Sequence, residues 1–392
     1  MNKDTILVLK GASRYNVLRV AVDNIAQGFR EKGYQVEILD LLDNDDMEKV
    51  QDKMLLGSYA FIFSCQALFF DGDNIEGTPF IEYISSPYIA WIVDDLLYHV
   101  ERIQNQVFDH TYLFFVDEEM PKIASKMYPQ LKNLASLLHG GFKGKEERVE
   151  KDIDVLLPGS LGKEPVFDAF IPNPMPIEKL LAEQTIKQLD IAPTLSVRKA
   201  LELVLNRLGE ELTGDLLQEL YNVIAYVDSY IRYQCRYQIM ETLLKNNIKL
   251  YVVGNGSNEL LEKYKENITV CGGRDIKEVV GLMQRSKIVL NPVPNVFYKG
   301  SHERVFTAML NKSICFTPYS EYVDDLLGDR VKFIDMKNLQ SMADCVKEVI
   351  ERYDSSDIQK QLNDNYEYAL ANHTWEMRGR EIIDFYESIY GK

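Results

Sequence analysis

The stretch Thr5-Ile6-Leu7-Val8-Leu9-Lys10-Gly11-Ala12-Ser13 joins a short run of β-favouring residues to a glycine-containing turn, which predicts a strand and the loop after it. The next apolar residues have the spacing of a helix with one buried face: Leu18, Val22, Ile25 and Phe29. Gly33 is typical of a helix C-cap, and residues 34–39 again favour a strand. Strand, helix and strand in this order predict a βαβ unit with parallel strands.

The same alternation continues along the chain and predicts two sheets. Further strands are expected at 59–65, 88–93, 111–116, 135–138, 152–157, 249–253, 268–271, 287–290, 313–317 and 331–334. Because a single core rarely extends beyond roughly 250–300 residues, a chain of 392 residues favours two domains. The predicted fold class is therefore α/β, with two Rossmann-like, doubly wound domains and a helical insertion in the C-terminal half.

The charged, glycine-containing segment 141–151 is the expected linker between the two domains. We expect an N-terminal domain over 1–150, a C-terminal domain over 151–372 with its helical segment at about 165–246, and a final helix over 373–392 that packs back on the first domain. One long helix of the helical segment is predicted to carry an apolar stripe from Leu216 to Leu243, which favours core packing over a cofactor site.

Charge and cysteine content narrow the class of protein. The chain carries 44 Lys and Arg against 60 Asp and Glu, and the formal net charge of −16 argues against a general nucleic-acid-binding protein. The five scattered cysteines form no CxxC pair, which favours buried free thiols. We find neither a signal peptide nor an apolar run long enough to cross a membrane, so we expect a cytoplasmic protein.

Two predicted loops have the composition of phosphate-binding turns. Gly254-Asn255-Gly256-Ser257 stands between a strand and a helix, where it could bind an anion or form an ordinary tight turn. The stretch Asn291–Met309 is more specific, because it places charged residues and Gly300 around the first turn of a helix. There Lys299 or Arg304 could bind a diphosphate and Glu303 could accept hydrogen bonds from ribose or sugar hydroxyls; the alternative is a solvated, capped turn.

This second stretch resembles the donor motif of GT-B glycosyltransferases with a family 1-type donor domain. It is most similar to the spore-maturation-protein-like (CgeB-like) group, in which a Gly-His-Glu-Arg turn leads into a Phe-Glu-Ala-Met helix. The segments 86–95, 138–140 and 154–160 resemble other parts of that group in the same order. The resemblance implies a metal-independent enzyme whose C-terminal domain binds a nucleotide-sugar, such as a UDP-sugar, as co-substrate without a further cofactor, and whose N-terminal domain binds the acceptor.

Carried over residue by residue, the resemblance implies several donor contacts. These are Gly159 and Ser160 at the diphosphate or sugar, the facing loop of Gly254, Asn255 and Gly256, Arg274 beside the base, and Lys299, Gly300, Ser301, His302, Glu303 and Arg304 at the diphosphate and donor sugar. An exposed charge beside a helix start is the alternative for Arg274. Related enzymes often have a ribose-binding glutamate where this chain has Thr307. Either Glu303, one turn earlier, contacts the ribose instead, or the Thr307 hydroxyl does.

Asp94 and Asp95 end a strand of the buried type, and either could deprotonate an acceptor hydroxyl. Both could equally cap the next helix, and His99 and His110 are more distant alternatives for the base. The sequence Asp71-Gly72-Asp73 has the spacing of a metal-binding Asp-x-Asp motif, but its glycine-rich surroundings favour a turn. We therefore predict no metal site.

The sequence favours a glycosyltransferase that moves a sugar from a nucleotide-sugar to a hydroxyl group of a protein or a cell-surface glycan. A non-catalytic GT-B module that assists another glycosyltransferase is one alternative, and a sugar-nucleotide epimerase is another. The module would bind nucleotide without turnover, whereas the epimerase would convert the donor without an acceptor. No nucleic-acid partner is expected, and self-association is left open.

Overall fold

The computed structural model describes residues 4–70, 72, 74–75, 77–104, 109–146, 149–256, 258–293 and 297–391. The chain divides into two compact units. The first unit contains the residues up to Gly140 together with those from His373 onward, and the second contains Gly141–Asn372. The chain therefore passes into the second unit ten residues before the expected boundary, and the final helix belongs to the first unit.

Most strands lie within one or two residues of the predicted ranges. They are β1 (Thr5–Lys10), β2 (Gln35–Asp40), β3 (Ile62–Cys65), β4 (Asn74–Ile75), β5 (Thr78–Pro79), β6 (Tyr88–Ile92), β7 (Thr111–Phe115), β8 (Leu134–Ser136), β9 (Ile153–Leu157), β10 (Leu250–Val252), β11 (Ile268–Val270), β12 (Ser286–Leu290), β13 (Ile314–Pro318) and β14 (Lys332–Ile334). β4 and β5, which the sequence did not predict, form a small antiparallel pair.

Helices connect the strands. They are α1 (Val17–Glu31), α2 (Asn44–Leu56), α3 (Val100–Ile103), α4 (Met120–Met127), α5 (Pro176–Ile191), α6 (Val197–Arg207), α7 (Gly214–Glu219), α8 (Tyr221–Lys245), α9 (Asn258–Lys263), α10 (Ile276–Gln284), α11 (Glu303–Leu310), α12 (Glu321–Leu327), α13 (Leu339–Glu351), α14 (Ser356–Asn372) and α15 (Trp375–Tyr390), with 3-10 helices at Arg14–Asn16, Phe80–Tyr83, Leu96–Tyr98, Phe167–Ala169 and Gly328–Arg330. Among the described helices, none is long and apolar enough to cross a membrane.

The first unit contains a six-stranded parallel sheet in the order β2-β1-β3-β6-β7-β8. Residues Ile6–Leu9 of β1 are fully buried, as expected for a strand covered on both faces. Helix α1 packs against α15, and the Phe29 ring of α1 lies 5.5 Å from the rings of Phe61 and Phe63. The C-terminal helix thus completes the core of the unit that the N-terminal residues begin.

The second unit contains a six-stranded parallel sheet in the order β11-β10-β9-β12-β13-β14. Alternate residues of β9 enter different cores. Val155 and Leu157 pack with residues of α8 and α13, whereas Leu156 packs with residues of α10 and α11. Helices on both faces of a parallel sheet confirm the predicted α/β class with two Rossmann-like sheets.

Local details differ from the sequence-based prediction at three places. The apolar stripe is divided between two helices, because the backbone at Leu220 leaves the helical conformation (φ −98°, ψ 7°) between α7 and α8. The expected helix after β6 is a 3-10 turn followed by the short α3. The expected linker is attached to the second unit, since the Phe142 N–H donates to Thr307 Oγ1 and the Gly144 N–H donates to Asn311 Oδ1.

Candidate functional site

Two predicted glycine loops meet at the carboxyl ends of the neighbouring strands β9 and β10. The Asn255 N–H donates to Ser160 Oγ at 3.1 Å, and the Leu161 N–H donates to the Asn255 carbonyl at 2.7 Å. Gly254 has a positive φ of 153°, and a Cβ there would lie 2.6 Å from the Ser160 nitrogen. Only glycine satisfies both conditions, so these loops form one continuous surface that carries Gly159, Ser160, Gly254 and Asn255.

The predicted donor turn begins helix α11. His302 is the N-cap residue, and its Nδ1 accepts a hydrogen bond from the Arg304 N–H at 3.3 Å. Gly300 and Ser301 are buried beside it. Together with Asn291 and Thr317, these residues line a cavity of ≈ 330 Å³ that opens to solvent. Of the Asn291–Met309 stretch, residues 294–296 lie outside the described residues, as Ser257 does in the shorter loop.

Two arginine side chains come together near these loops. Arg304 Nη1 donates to Asn291 Oδ1 at 2.9 Å, and Arg236 Nη1, from the middle of α8, donates to the Ser160 carbonyl at 3.1 Å. Burial lowers the pKa of Arg304. Burial, followed by repulsion from Arg304, lowers the pKa of Arg236 to about 10.

These two guanidinium groups lack the partners that such groups usually have when they are buried. Each Nε is inaccessible to solvent and has no hydrogen-bond partner in the described part of the chain. Neither arginine forms an ion pair with a described carboxylate, although the charge of Glu303 partly offsets the effect of burial on the pKa of Arg304. Because buried charges are normally paired, this arrangement indicates a site for an anion, and guanidinium groups match phosphate oxygens in geometry.

Glu303 and Thr307 form one hydrogen-bonded pair on α11. Thr307 is fully buried, its hydroxyl donates to Glu303 Oε2 at 2.8 Å, and it accepts a hydrogen bond from the Phe142 N–H at 3.1 Å. The Thr307 side chain therefore exposes no surface to a ligand in this structure. Glu303, whose side chain is 15% exposed, is the residue of the pair that a ligand can reach.

The remaining predicted donor residues, Gly256, Arg274 and Lys299, follow three different strands, β10, β11 and β12. Gly256 is packed against α9, where a Cβ would lie 2.8 Å from Leu261 Cδ1. Arg274 is exposed after β11, at the edge of the sheet, and is followed by Asp275, which caps α10. Lys299 is half-buried immediately before Gly300. The structure does not bring Arg274 into contact with the two buried arginines.

The two candidate base residues of the first unit have different environments. Asp95 is buried, and its Oδ1 accepts a hydrogen bond from the Leu97 N–H at 3.0 Å, which is the capping role that the sequence left open. The Asp94 side chain is 60% exposed, and its Oδ2 lies 2.5 Å from Gln66 Nε2 and 3.9 Å from His99 Nε2. Burial opposes ionisation of Asp94, but His99 and Gln66 outweigh it and lower the pKa of its carboxyl group.

Asp71 and Asp73, the residues of the Asp-x-Asp sequence, lie outside the described residues. Within the described ranges, the structure contains no group of three side chains that could hold a metal ion.

The sequence analysis did not identify two residues near these loops, Arg236 and Asn291. The signal for Arg236 was present, because an arginine stands between Cys235 and Ile239 in a stripe that otherwise predicts a buried helix face.

Known proteins resemble this chain in part of its sequence and in its fold. Residues 236–384 match a family model described as "Glycosyl transferase-like". A search of curated proteins finds no significant match. Among solved structures, a sucrose-phosphate synthase from Thermosynechococcus elongatus is similar over 99% of both chains, with 9% sequence identity and a TM-score of 0.55.

Two further structures show the same fold at low identity. An alpha-glucosyltransferase solved with UDP-glucose and DNA containing an abasic site matches 97% of this chain and 99% of its own, with 10% identity and a TM-score of 0.54. The Anabaena protein HepE, solved with UDP, matches 98% of this chain and 100% of its own, with 11% identity and a TM-score of 0.50. The chain thus has the GT-B fold of two Rossmann-like domains, and its residues 236–384 are similar to the glycosyl transferase-like family.

Proposed function

We propose that the protein transfers a sugar from a nucleotide-sugar, of which a UDP-sugar is the first candidate, to a hydroxyl group of a protein or glycan acceptor. The observation that carries this proposal is the pair of half-buried arginines, Arg236 and Arg304, whose Nε atoms are inaccessible to solvent and which form no ion pair with a described carboxylate. The UDP and UDP-glucose in two structures of the same fold support the choice of nucleotide. The CgeB-like subgroup and the cytoplasmic location remain part of the proposal.

In this proposal the diphosphate is bound by Arg236 and Arg304, with further hydrogen bonds from the backbone N–H groups of Ser160 and Glu303. Glu303 would accept hydrogen bonds from the ribose or the donor sugar, held in place by Thr307. The two guanidinium groups and the helix N-terminus would supply the positive charge that a metal ion provides in other transferases. Metal independence is therefore proposed as well.

The chemical step forms a bond between the acceptor oxygen and the anomeric carbon and breaks the bond from that carbon to the diphosphate. The electron pair of the broken bond moves to the leaving diphosphate, whose additional charge the two arginines stabilise. The proton of the acceptor hydroxyl requires a base. We assign this role to Asp94, because Asp94 is exposed and ionised whereas Asp95 is buried as a cap.

Titration calorimetry with UDP- and GDP-sugars tests the donor site. We expect Arg236→Gln and Arg304→Gln each to weaken binding about 10- to 100-fold, because each removes a charge-assisted contact of about 1.5–3 kcal/mol. Arg352→Gln is the control, since Arg352 pairs with Glu348 and Asp357 at an exposed site. Equal, small effects of all three changes would contradict the assignment.

The same variants also separate function from folding. Arg236 carries an unpaired buried charge, so Arg236→Gln should leave the free energy of unfolding unchanged or higher while it weakens donor binding.

Transfer assays without added metal then test the activity. Binding without sugar transfer would support the non-catalytic module instead, for which the exposed apolar residues Ile177, Leu180 and Ile191 of α5 offer a surface. Conversion of the donor without an acceptor would support an epimerase.

A further inference from the structure

The loop that follows β3 contains a cluster of backbone strain. Gln66, Ala67 and Phe69 have φ values of 62°, 48° and 64°, in the left-handed region that favours glycine. Each such residue costs on the order of 1 kcal/mol or more, and such conformations persist only where the surrounding structure enforces them. The loop, which we name the Gln66–Phe70 loop, follows the strand adjacent to β6, the strand that precedes Asp94.

A buried hydrogen-bond network holds this loop in its conformation. Ser64 Oγ and Tyr88 Oη lie 2.8 Å apart, and Tyr88 Oη donates to the Leu68 carbonyl at 2.7 Å. The Leu68 N–H in turn approaches Ser64 Oγ at 3.3 Å. Ser64 of β3 and Tyr88 of β6 therefore fix the backbone of the loop, and both side chains are fully buried.

All four polar groups of Gln66 are used. Its backbone N–H donates to the Trp91 carbonyl at 2.8 Å, and its carbonyl accepts from Arg102 Nη1 at 2.6 Å. Its side-chain Oε1 accepts from the Val93 N–H at 3.3 Å, and its Nε2 donates to Asp94 Oδ2 at 2.5 Å. A backbone N–H only donates and a carboxylate only accepts, so the orientation of this amide follows from its partners.

We propose that Gln66 is a positioning residue that fixes the carboxylate of Asp94 for a ligand hydroxyl. Gln66 occupies Oδ2, while Oδ1 accepts no hydrogen bond from the described residues and the side chain is exposed. An exposed carboxylate gains little stability from a surface partner, so stability does not explain a strained, fully bonded glutamine at this place. The inference rests on the proposed function, in which Asp94 accepts the proton of the acceptor hydroxyl.

The other groups around Asp94 remain when Gln66 is changed. His99 Nε2 lies 3.9 Å from Asp94 Oδ2, and His139 Nε2 lies 2.9 Å from the carbonyl oxygen of Val93, the residue before Asp94. Arg102 Nη1 donates to the Gln66 backbone carbonyl, a contact that does not depend on the Gln66 side chain. Gln66 lowers the pKa of Asp94 by its hydrogen bond, in addition to the larger effect of His99. Its removal should therefore raise that pKa without abolishing the ionised form at neutral pH.

The test compares Gln66→Gly with Ala67→Gly in the full-length protein. Both changes relieve a left-handed residue, but Gln66→Gly also leaves the Val93 N–H without its partner. We therefore expect the free energy of unfolding to fall modestly in Gln66→Gly, which still folds, and to change little in Ala67→Gly. Only Gln66→Gly removes the amide. We expect it to lower kcat/KM for transfer at least 10-fold with donor affinity unchanged, and to move the acid limb of the pH–rate profile to higher pH. Ala67→Gly should keep the wild-type profile.

A second measurement needs no activity. Carbon-13 NMR titration of the Asp94 carboxyl in the ligand-free protein should show a higher pKa in Gln66→Gly than in the wild type and in Ala67→Gly. An unchanged Asp94 titration together with an unchanged pH–rate profile would overturn the inference. If Asp94→Asn transfers sugar at the wild-type rate, the base assignment of the proposed function is wrong, and the NMR titration still decides whether Gln66 fixes the carboxylate.

Discussion

The side chain of Thr307 shows how a departure from a family pattern is accommodated within a single helical turn. A glutamate at this position would have to be buried completely, because Thr307 has no exposed surface. Instead, the threonine hydroxyl joins Glu303 Oε2 to the Phe142 N–H. In the proposed donor site the carboxylate thus comes from Glu303, one turn earlier on α11, and the buried Thr307 hydroxyl orients it.

Replacing Thr307 by valine keeps the shape of the side chain and removes only this link. We expect Thr307→Val to lower the free energy of unfolding by about 1–3 kcal/mol, because the buried Phe142 N–H loses its partner. Donor binding should weaken as well, since Glu303 loses its orienting hydrogen bond. Urea unfolding and calorimetry measure the two effects. Thr307→Ser retains the hydroxyl and should stay close to the wild type; wild-type donor affinity in Thr307→Val would show that Glu303 needs no support.

The start of helix α11 could be predicted from the sequence because its signals are local, whereas the contacts of Arg236 could not, because they join distant parts of the chain. The turn from Gly300 to Arg304 combines a helix cap with charged residues, and both features can be recognised in a short window. Arg236 and Asn291 meet Arg304 and Ser160 only through the tertiary structure. Periodicity predicts a buried face for the helix that contains Arg236, but it cannot show that this side chain donates a hydrogen bond to the loop after another strand.

At the scale of elements, the contact of α1 with α15 depends on two glycines. A Cβ at Gly28 would overlap the carbonyl oxygen of Glu376, and a Cβ at Gly379 would overlap that of Ile25. The two helix backbones therefore approach as closely as small residues allow. Their interface also contains the paired rings of Tyr34 and Tyr386, with centroids 6.4 Å apart.

We expect Gly28→Ala and Gly379→Ala each to lower the free energy of unfolding by about 2–3 kcal/mol, because the helices must separate to admit a methyl group. Gly281→Ala in α10 is a matched control, since a Cβ there meets nothing within 4 Å. That change should stabilise the protein by roughly 0.5–1 kcal/mol through helix propensity. Urea unfolding measures all three variants. A loss of stability in Gly281→Ala as large as in Gly28→Ala would refute the close-approach explanation.

At the scale of the whole molecule, the alternation of strands and helices was sufficient to predict two parallel sheets, because central strands such as β1 and β9 are mostly apolar and largely buried. The passage between the units was less predictable. Residues 141–146 are rich in glycine and lysine, as a linker would be, yet Phe142 and Gly144 bond to residues of α11 and the turn after it. The composition of residues 141–146 correctly indicates that they form neither a helix nor a strand. It cannot show that they are attached to the second unit, because their hydrogen-bond partners Thr307 and Asn311 are distant in sequence.

The return of the chain to the first unit yields a prediction for the whole molecule. Ending the chain at Asn372 removes Trp375, whose ring lies 5.5 Å from that of Trp91, and Phe385, whose ring lies 4.8 Å from that of Phe114. It also removes Arg378, which donates to the His139 carbonyl at 3.1 Å. Each lost apolar side chain represents about 1.5–3 kcal/mol of burial, which together is a large part of the stability of one domain. We therefore expect the first unit to unfold in this truncated protein.

The second unit, in contrast, should remain folded and bind the donor, because every residue assigned to the diphosphate lies between Gly141 and Asn372. Hydrogen exchange should show loss of protection in β1 with retained protection in β9, and calorimetry should show nucleotide binding close to that of the full chain. This result would show that donor binding by the second unit does not depend on α15, the helix that stabilises the first unit. Wild-type protection of β1, or loss of nucleotide binding together with protection of β9, would contradict this division of stability between the two units.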